Sequence, residues 1–151
     1  MCGRAKRNSP SCRGSDILDI TYTTDLRDVD WQQMKDAVAA DDFDNGRTRA
    51  ELEQSFKASA IACIAYAGSD IIGTARALSD GVCNAYVIDV WTRSDLRRRG
   101  IARTMLVVLE QPLHGQHIYL FADDFPDVYR ACGFRERGVG LEKVPGTWLR
   151  R

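Results

Sequence analysis

The chain has 151 residues, enough for one domain with its own core, and 44% of them are hydrophobic and 28% charged. Basic and acidic residues number 21 each, so the formal net charge is zero, which disfavours a protein that holds nucleic acid by bulk charge. No apolar run approaches the ~18 residues of a membrane-spanning helix, so that class is excluded.

Residues 1–15 carry Arg4, Lys6, Arg7 and Arg13 and no acid, which leaves a net charge of −4 over the rest. This stretch is polar, with Gly, Ser and Pro, and lacks the apolar centre of a signal peptide. It reads as a flexible basic leader, with a nucleic-acid-binding arm as the alternative. A single domain is expected over 16–151. The five cysteines are Cys2, Cys12, Cys63, Cys83 and Cys132. An odd number without CxxC spacing argues against a zinc site or a disulfide framework. The reading is a reducing, cytoplasmic compartment.

Alternation from Ile17 to Thr23 predicts a first strand. Thr24 or Asp25 is placed to cap a helix over Leu26–Ala40, with Leu26, Trp31, Met34 and Val38 on one face. The acidic segment Asp41, Asp42, Asp44 ends it and reads as a solvated loop, or as charge that steers a cationic acceptor. Thr48 and Glu51 stand in capping-box spacing and predict a second helix over Thr48–Ala58. Ala60–Ala67 and Ile71–Leu78 are apolar runs separated by Gly68-Ser69-Asp70, a hairpin. Asn84–Thr92 is rich in aromatic and β-branched residues and predicts a third long strand. An arginine-rich loop, Ser94–Gly100, leads to a helix over Ile101–Leu109, ended by Pro112. His117–Phe121 reads as a strand and Pro126–Ala131 as a short helix stopped by Gly133. Two weaker strands are expected near Phe134–Arg137 and Thr147–Arg150. The order implies an α+β fold.

Arg97-Arg98-Arg99-Gly100-Ile101-Ala102 lies between a strand and a helix. A helix N-terminus has backbone N–H groups without intrahelical partners and partial positive charge, which suits a pyrophosphate. Gly100 and Ala102 let phosphate approach the backbone closely, and the arginines add charge. The segment is neither GxGxxG nor GxxxxGK(S/T), which removes support for dinucleotide and Walker-type readings.

The spacing Arg97-x-x-Gly100-x-Ala102 resembles the Arg/Gln-x-x-Gly-x-Gly/Ala loop of the GNAT superfamily of N-acetyltransferases. Tyr129-Arg130-Ala131-Cys132-Gly133-Phe134 is similar to that superfamily's later YxxxGF motif. Gly73-Thr74-Ala75-Arg76-Ala77-Leu78-Ser79-Asp80, Asn84, Asp89-Val90 and Leu120-Phe121-Ala122-Asp123 resemble its plastid-type branch, which acetylates serotonin-like arylalkylamines and lysine. Ala102 stands where the final Gly is commoner. The resemblance implies a three-layer α/β/α fold whose mixed, mostly antiparallel sheet has a splayed parallel strand pair, Asn84–Thr92 and His117–Phe121. Acetyl-CoA, as acyl-donor cosubstrate, would lie in the splay. Its pantetheine arm would pair with Val90, Trp91 and Thr92, and its pyrophosphate would sit on Arg97, Arg98, Arg99, Gly100, Ile101, Ala102 and Arg103.

The expected activity is transfer of acetyl to a primary amine, a small molecule or a lysine side chain, by direct attack in a ternary complex. Such a transfer needs a proton taken from the ammonium and one given to the departing thiolate. The resemblance gives Tyr129 the second task and associates Asp89 and Asp123 with the first. Asp89 interrupts an apolar strand, where a carboxylate is costly unless bonded or functional; its other reading is a structural partner of an arginine. Arg76 reads as an ion-pair residue, and Trp31, Phe43, Trp91 and Phe125 as core or cleft wall. His114 and His117 lack a third ligand, so no metal is expected, although His117 is a candidate substrate contact. Dimers are common in the family, which allows a homodimer. Two other classes compete: a catalytically silent acyl-CoA-binding sensor or protein-interaction domain, and a nucleic-acid module using the leader and the Arg93–Arg103 cluster.

Overall fold

A computed structural model describes residues 18–149. The expected leader, with Cys2 and Cys12, lies outside the described residues, as does Ile17. Five strands form one sheet in the order β1-β2-β3-β4-β5: β1 (Ile20–Thr23), β2 (Ile61–Ala67), β3 (Asp70–Ser79), β4 (Asn84–Thr92) and β5 (His117–Tyr119). The first three pairings are antiparallel and β4–β5 is parallel. Helices α1 (Trp31–Ala40) and α2 (Arg49–Lys57) cover one face, and α3 (Ile101–Glu110) and α4 (Pro126–Ala131) the other. This is the expected three-layer α+β architecture. No helix among the described residues is long and apolar enough to cross a membrane.

Each face has its own core. Trp31, Met34 and Val38 of α1 and Leu52 and Phe56 of α2 pack on Ile64, Ile71 and Trp91. Ile101, Met105, Leu106 and Leu109 of α3 pack on Cys63, Ile72, Ala75, Ala85 and Val87. Gly73 lets α3 lie close: a Cβ there would stand 3.1 Å from Met105 Cε, 3.2 Å from Ile101 Cγ2 and 3.2 Å from the Trp91 carbonyl. Burial pushes the Cys63 thiol up to about 11, as befits a small core hydrophobe.

Helix α2 carries the expected capping box: the Thr48 side chain accepts from Glu51 N and the Glu51 side chain from Thr48 N. Helix α1 starts later than its apolar spacing suggests. Thr23 Oγ1 accepts from Asp25 N and Asp25 Oδ1 from Arg27 N, so these side chains hold the backbone in turns that compete with helix. Asp30, whose Oδ1 accepts from Gln33 N at 2.9 Å, is the true N-cap.

The two C-terminal strands do not form among the described residues. Gly133 and Gly138, at φ 91° and 66°, bracket Phe134–Arg137. Within it, Phe134 N donates to Tyr129 O and the Phe134 ring meets Tyr129 edge-on, so the segment is tied to α4. Strand β5 stops at Tyr119 instead of Phe121, because its pairing with β4 covers only Asn84–Tyr86.

Candidate active site

Strand β4 holds one residue more than its neighbour. Arg76 faces Ile88 and Thr74 faces Trp91, so three steps on β4 match two on β3. The extra residue sits at Asp89, whose φ is 53°, a conformation aspartate tolerates better than most residues. The bulge reverses which side chains face which layer. Ala85 and Val87 join the α3 core, whereas Trp91 joins the α1–α2 core. Beyond Tyr86, β4 runs on to Thr92 with no strand paired on its β5 side among the described residues. The expected splay is present, and Val90, Trp91 and Thr92 lie along it. Thr92 Oγ1 is buried there without a hydrogen-bond partner among the described residues.

A short 3-10 turn, Ser94–Leu96, leads from β4 into the arginine loop. Arg98 and Gly100 both adopt positive φ, 62° and 79°, and Gly100 is the N-cap of α3 with no side-chain cap. The first-turn N–H groups of Ile101, Ala102 and Arg103 therefore have no intrahelical acceptor. A Cβ on Gly100 would meet nothing within 4 Å, so the space over the helix end is open. Arg98, Arg99 and Arg103 are exposed around it. An uncapped helix end, a glycine with clear space above it and surplus cations fit a pyrophosphate.

Arg97 is different. Its Nε donates to Thr92 O at 3.2 Å, its Nη2 lies 3.8 Å from Asp41 Oδ2, and its guanidinium stands 5.9 Å from the Phe125 ring centroid. Asp41 was expected in a solvated loop, yet its Oδ2 accepts from Trp91 Nε1 at 2.9 Å and Ser94 N at 3.0 Å. Asp44 is likewise engaged: it pairs with Lys35, and its Oδ1 accepts from Gly46 N. The solvated-loop reading is thus corrected for two of these carboxylates: Asp41 fastens the end of α1 to the site's frame, and Asp44 ties α1 to its own following loop.

Asp89 is buried. Its Oδ2 accepts from Arg47 Nη1 and Arg76 Nε, each at 2.7 Å. Arg76 takes the expected ion-pair role. Arg47, absent from the sequence reading, also donates to Ser55 Oγ and the Asp44 carbonyl. Asp89 thus has the arginine-partner environment that was one of its two readings.

Tyr129 lies half-buried on α4 beside the α3 core. Burial, with Cys132 adding to it, raises the phenol's pKa above the ordinary value, so the group keeps its proton. Asp123 is exposed after β5. Tyr86 was not singled out in the sequence, but its ring meets Phe121 edge-on at the last β4–β5 rung. Burial raises its pKa, and Asp123, Asp89 and Glu142 act in the same direction against Arg76. A Cβ on Gly140 would overlap the Phe121 ring, so the segment after α4 returns to this mouth. His117 points elsewhere in its bonding: Nδ1 is 3.1 Å from Tyr119 Oη.

A family model described as acetyltransferase (GNAT) family matches residues 23–141. Among solved structures, a GNAT-family protein from Xanthomonas campestris pv. campestris is similar at 20% identity and TM-score 0.71, covering 85% of this chain and 95% of its own. A predicted acetyltransferase from Clostridium acetobutylicum, solved with acetyl-CoA, is similar at 23% identity and TM-score 0.60, covering 83% and 96%. An aminoglycoside acetyltransferase from an uncultured soil metagenomic sample is similar at 20% identity and TM-score 0.62, covering 85% and 98%. No curated protein matches. These likenesses establish the fold; acceptor chemistry rests on the chain's own residues.

Proposed function

The chain belongs to the acetyltransferase (GNAT) family, and we propose that it transfers acetyl from acetyl-CoA to a primary amine by direct attack in a ternary complex. The observation that carries this reading is an unpaired β4 edge beyond Tyr86 that runs on into the arginine loop and the uncapped α3 N-terminus at Gly100. Acetyl-CoA supplies a thioester. Val90–Thr92 would hold its pantetheine by backbone pairing, and Arg98–Arg103 its pyrophosphate through N–H groups and charge.

Tyr129 gives its proton to the departing thiolate. Asp123 takes a proton from the incoming ammonium, directly or through water. We favour Asp123 over Asp89 because two guanidinium groups already claim Asp89 Oδ2. Cys63 and Cys132 have thiols raised by burial, which supports direct transfer over an acyl-enzyme.

For the acceptor we propose a small arylalkylamine or a lysine-like amine, in keeping with the resemblance to the serotonin- and lysine-acetylating branch. Tyr86 and Phe121 offer rings for an apolar body. Asp123 and Glu142, whose charges both act on the Tyr86 phenol, favour a cation. The test is thiol release from acetyl-CoA across tryptamine-like amines, free lysine, lysine peptides and aminoglycosides. Turnover with the first classes, at a KM that rises with salt, supports the reading, because exposed attraction is screened over ~10 Å at 0.1 M. Preference for aminoglycosides overturns the acceptor class. Tight acetyl-CoA binding without thiol release from any amine would make the chain a silent acyl-CoA sensor.

A further inference from the structure

We infer that Arg97 is a positioning residue that seats the Tyr129 helix against the phosphate loop, rather than a ligand of the phosphates. The inference rests on the proposed acetyl transfer with Tyr129 as proton donor.

The arginines of the loop differ in what they already hold. Arg98 and Arg99 are exposed. Arg97, although its side chain is 45% exposed, already has three partners: Nε donates to the Thr92 carbonyl at 3.2 Å, Nη2 faces Asp41 at 3.8 Å, and the guanidinium stands 5.9 Å from the Phe125 ring centroid. Turning it to a phosphate would give up a hydrogen bond, a carboxylate and an aromatic partner together. The Asp41 end is fixed, since that carboxylate is only 13% exposed and also binds Trp91 Nε1 and Ser94 N.

The other end is the one that responds. Phe125 is the N-cap of α4 and has φ 55°, ψ 49°. A bulky residue in the left-handed region is strained, and such strain persists where surrounding contacts over-determine it. The residue is 64% exposed, and its ring has the Arg97 guanidinium as a partner at 5.9 Å. Helix α4 has six residues, and Tyr129 stands one turn beyond Phe125. A helix this short moves as one piece. Releasing Phe125 therefore shifts the phenol that must meet the departing sulfur. The same contact joins the arginine loop to the N-cap residue of the helix that carries Tyr129.

The experiment compares Arg97→Lys, Phe125→Leu, their double variant and Phe125→Tyr. Lysine keeps the charge but lacks the flat fork that bonds and stacks at once. Each of the first two should lower kcat about two- to fivefold, the range of an exposed cation–ring contact. The double variant should fall no further than the worse single one, and Phe125→Tyr should retain wild-type turnover. The Kd for acetyl-CoA should stay within about twofold, well below the loss expected for a phosphate-binding charge. The high-pH limb of kcat should move to lower pH, because a loosened Tyr129 loses the burial that raises its pKa. Hydrogen exchange over Pro126–Ala131 should quicken in both single variants and reads α4 seating without turnover. Weakened acetyl-CoA binding with an unmoved limb and unchanged α4 exchange would make Arg97 a phosphate ligand and overturn the inference. Multiplicative losses in the double variant would also overturn it. Absence of thiol release in the wild type would instead sink the proposed reaction, with exchange still deciding the Arg97–α4 link.

Discussion

Asp89→Asn separates structural from chemical roles for the carboxylate at the bulge. In the native protein one buried carboxylate bridges two buried guanidinium groups, with both donor distances at 2.7 Å. The substitution preserves shape and leaves the two cations facing each other. Removing one partner of a buried pair costs about 3–5 kcal/mol. For a chain of this length that is a fall in Tm of about 6–20 °C. Arg47→Met is the control. It leaves a one-to-one Arg76–Asp89 pair, fills the space with an apolar chain, and gives up the bonds to Ser55 Oγ and the Asp44 carbonyl. Its cost should be smaller, about 1–2 kcal/mol. Thermal and denaturant unfolding, with acetyl-CoA absent, measure both. Turnover of Asp89→Asn, measured well below its Tm, should stay within a few-fold of wild type; loss of a general base costs ~10²–10⁴-fold. An Asp89→Asn protein of native stability would refute the triad argument, as would Arg47→Met costing as much as Asp89→Asn. A large turnover loss in a fully folded Asp89→Asn protein would return the base to this position.

Gly100→Val should weaken acetyl-CoA binding more than Arg98→Ala. It forces a β-branched residue to φ 79° and fills the open space above the helix end, whereas Gly100→Asn, tolerant of that φ, should bind in between; isothermal titration ranks the three. Tyr129→Phe should keep the fold and acetyl-CoA affinity and lower turnover by ~10²–10⁴-fold. In the wild type, turnover should fall only above the ordinary tyrosine range, because burial raises the phenol's pKa and the acid form is lost only as pH passes that raised value; the pH profile of kcat checks the sign. Gly73→Val should destabilise by about 1–3 kcal/mol as the Trp91 carbonyl, Met105 and Ile101 are pushed apart. Since Ile101 opens α3, the same variant should weaken acetyl-CoA binding when measured below its Tm.

Where the controlling signals were local in sequence, the fold was legible. Strand β4 and the start of α3 fall where composition put them, because an aromatic and β-branched run gives way to Gly100 and then to apolar residues at helical spacing. The α2 capping box is similarly a four-residue signal. Contacts between distant segments were not legible. Arg47 reaches Asp89 across 42 residues, and Asp41 reaches Trp91 across 50. Nothing in the run of aspartates after α1 distinguishes a latch from a solvated loop. The start of α1 was misplaced because two apolar-compatible turns carry side chains that satisfy their own backbone. Tyr86 escaped notice for a related reason: within β4 it is one more strand aromatic, and only the end of the β5 pairing places it at the mouth of the opening.

The Asp89 bulge explains why stability and site geometry are bound together here. An extra residue in a strand leaves backbone and side chain to be satisfied locally. Strand β3 does both, with Thr74 Oγ1 donating to the Asp89 carbonyl at 3.1 Å and Arg76 Nε to its carboxylate. Arg47 adds the tie from the α1–α2 side. With the bend secured, Trp91 turns toward α1, where Asp41 takes its indole N–H and also the N–H of Ser94 at the start of the arginine loop. The loop's position, and with it the α3 N-terminus, thus descends from a single inserted residue. Removing the bulge would exchange the faces of Val90 and Trp91, expel the indole from the α1–α2 core and break the Asp41 latch. The apolar alternation of β4 could survive that change, but the phosphate loop would lose its anchor. The buried charges at Asp89 are therefore best understood as the means of fixing where β4 leaves β5.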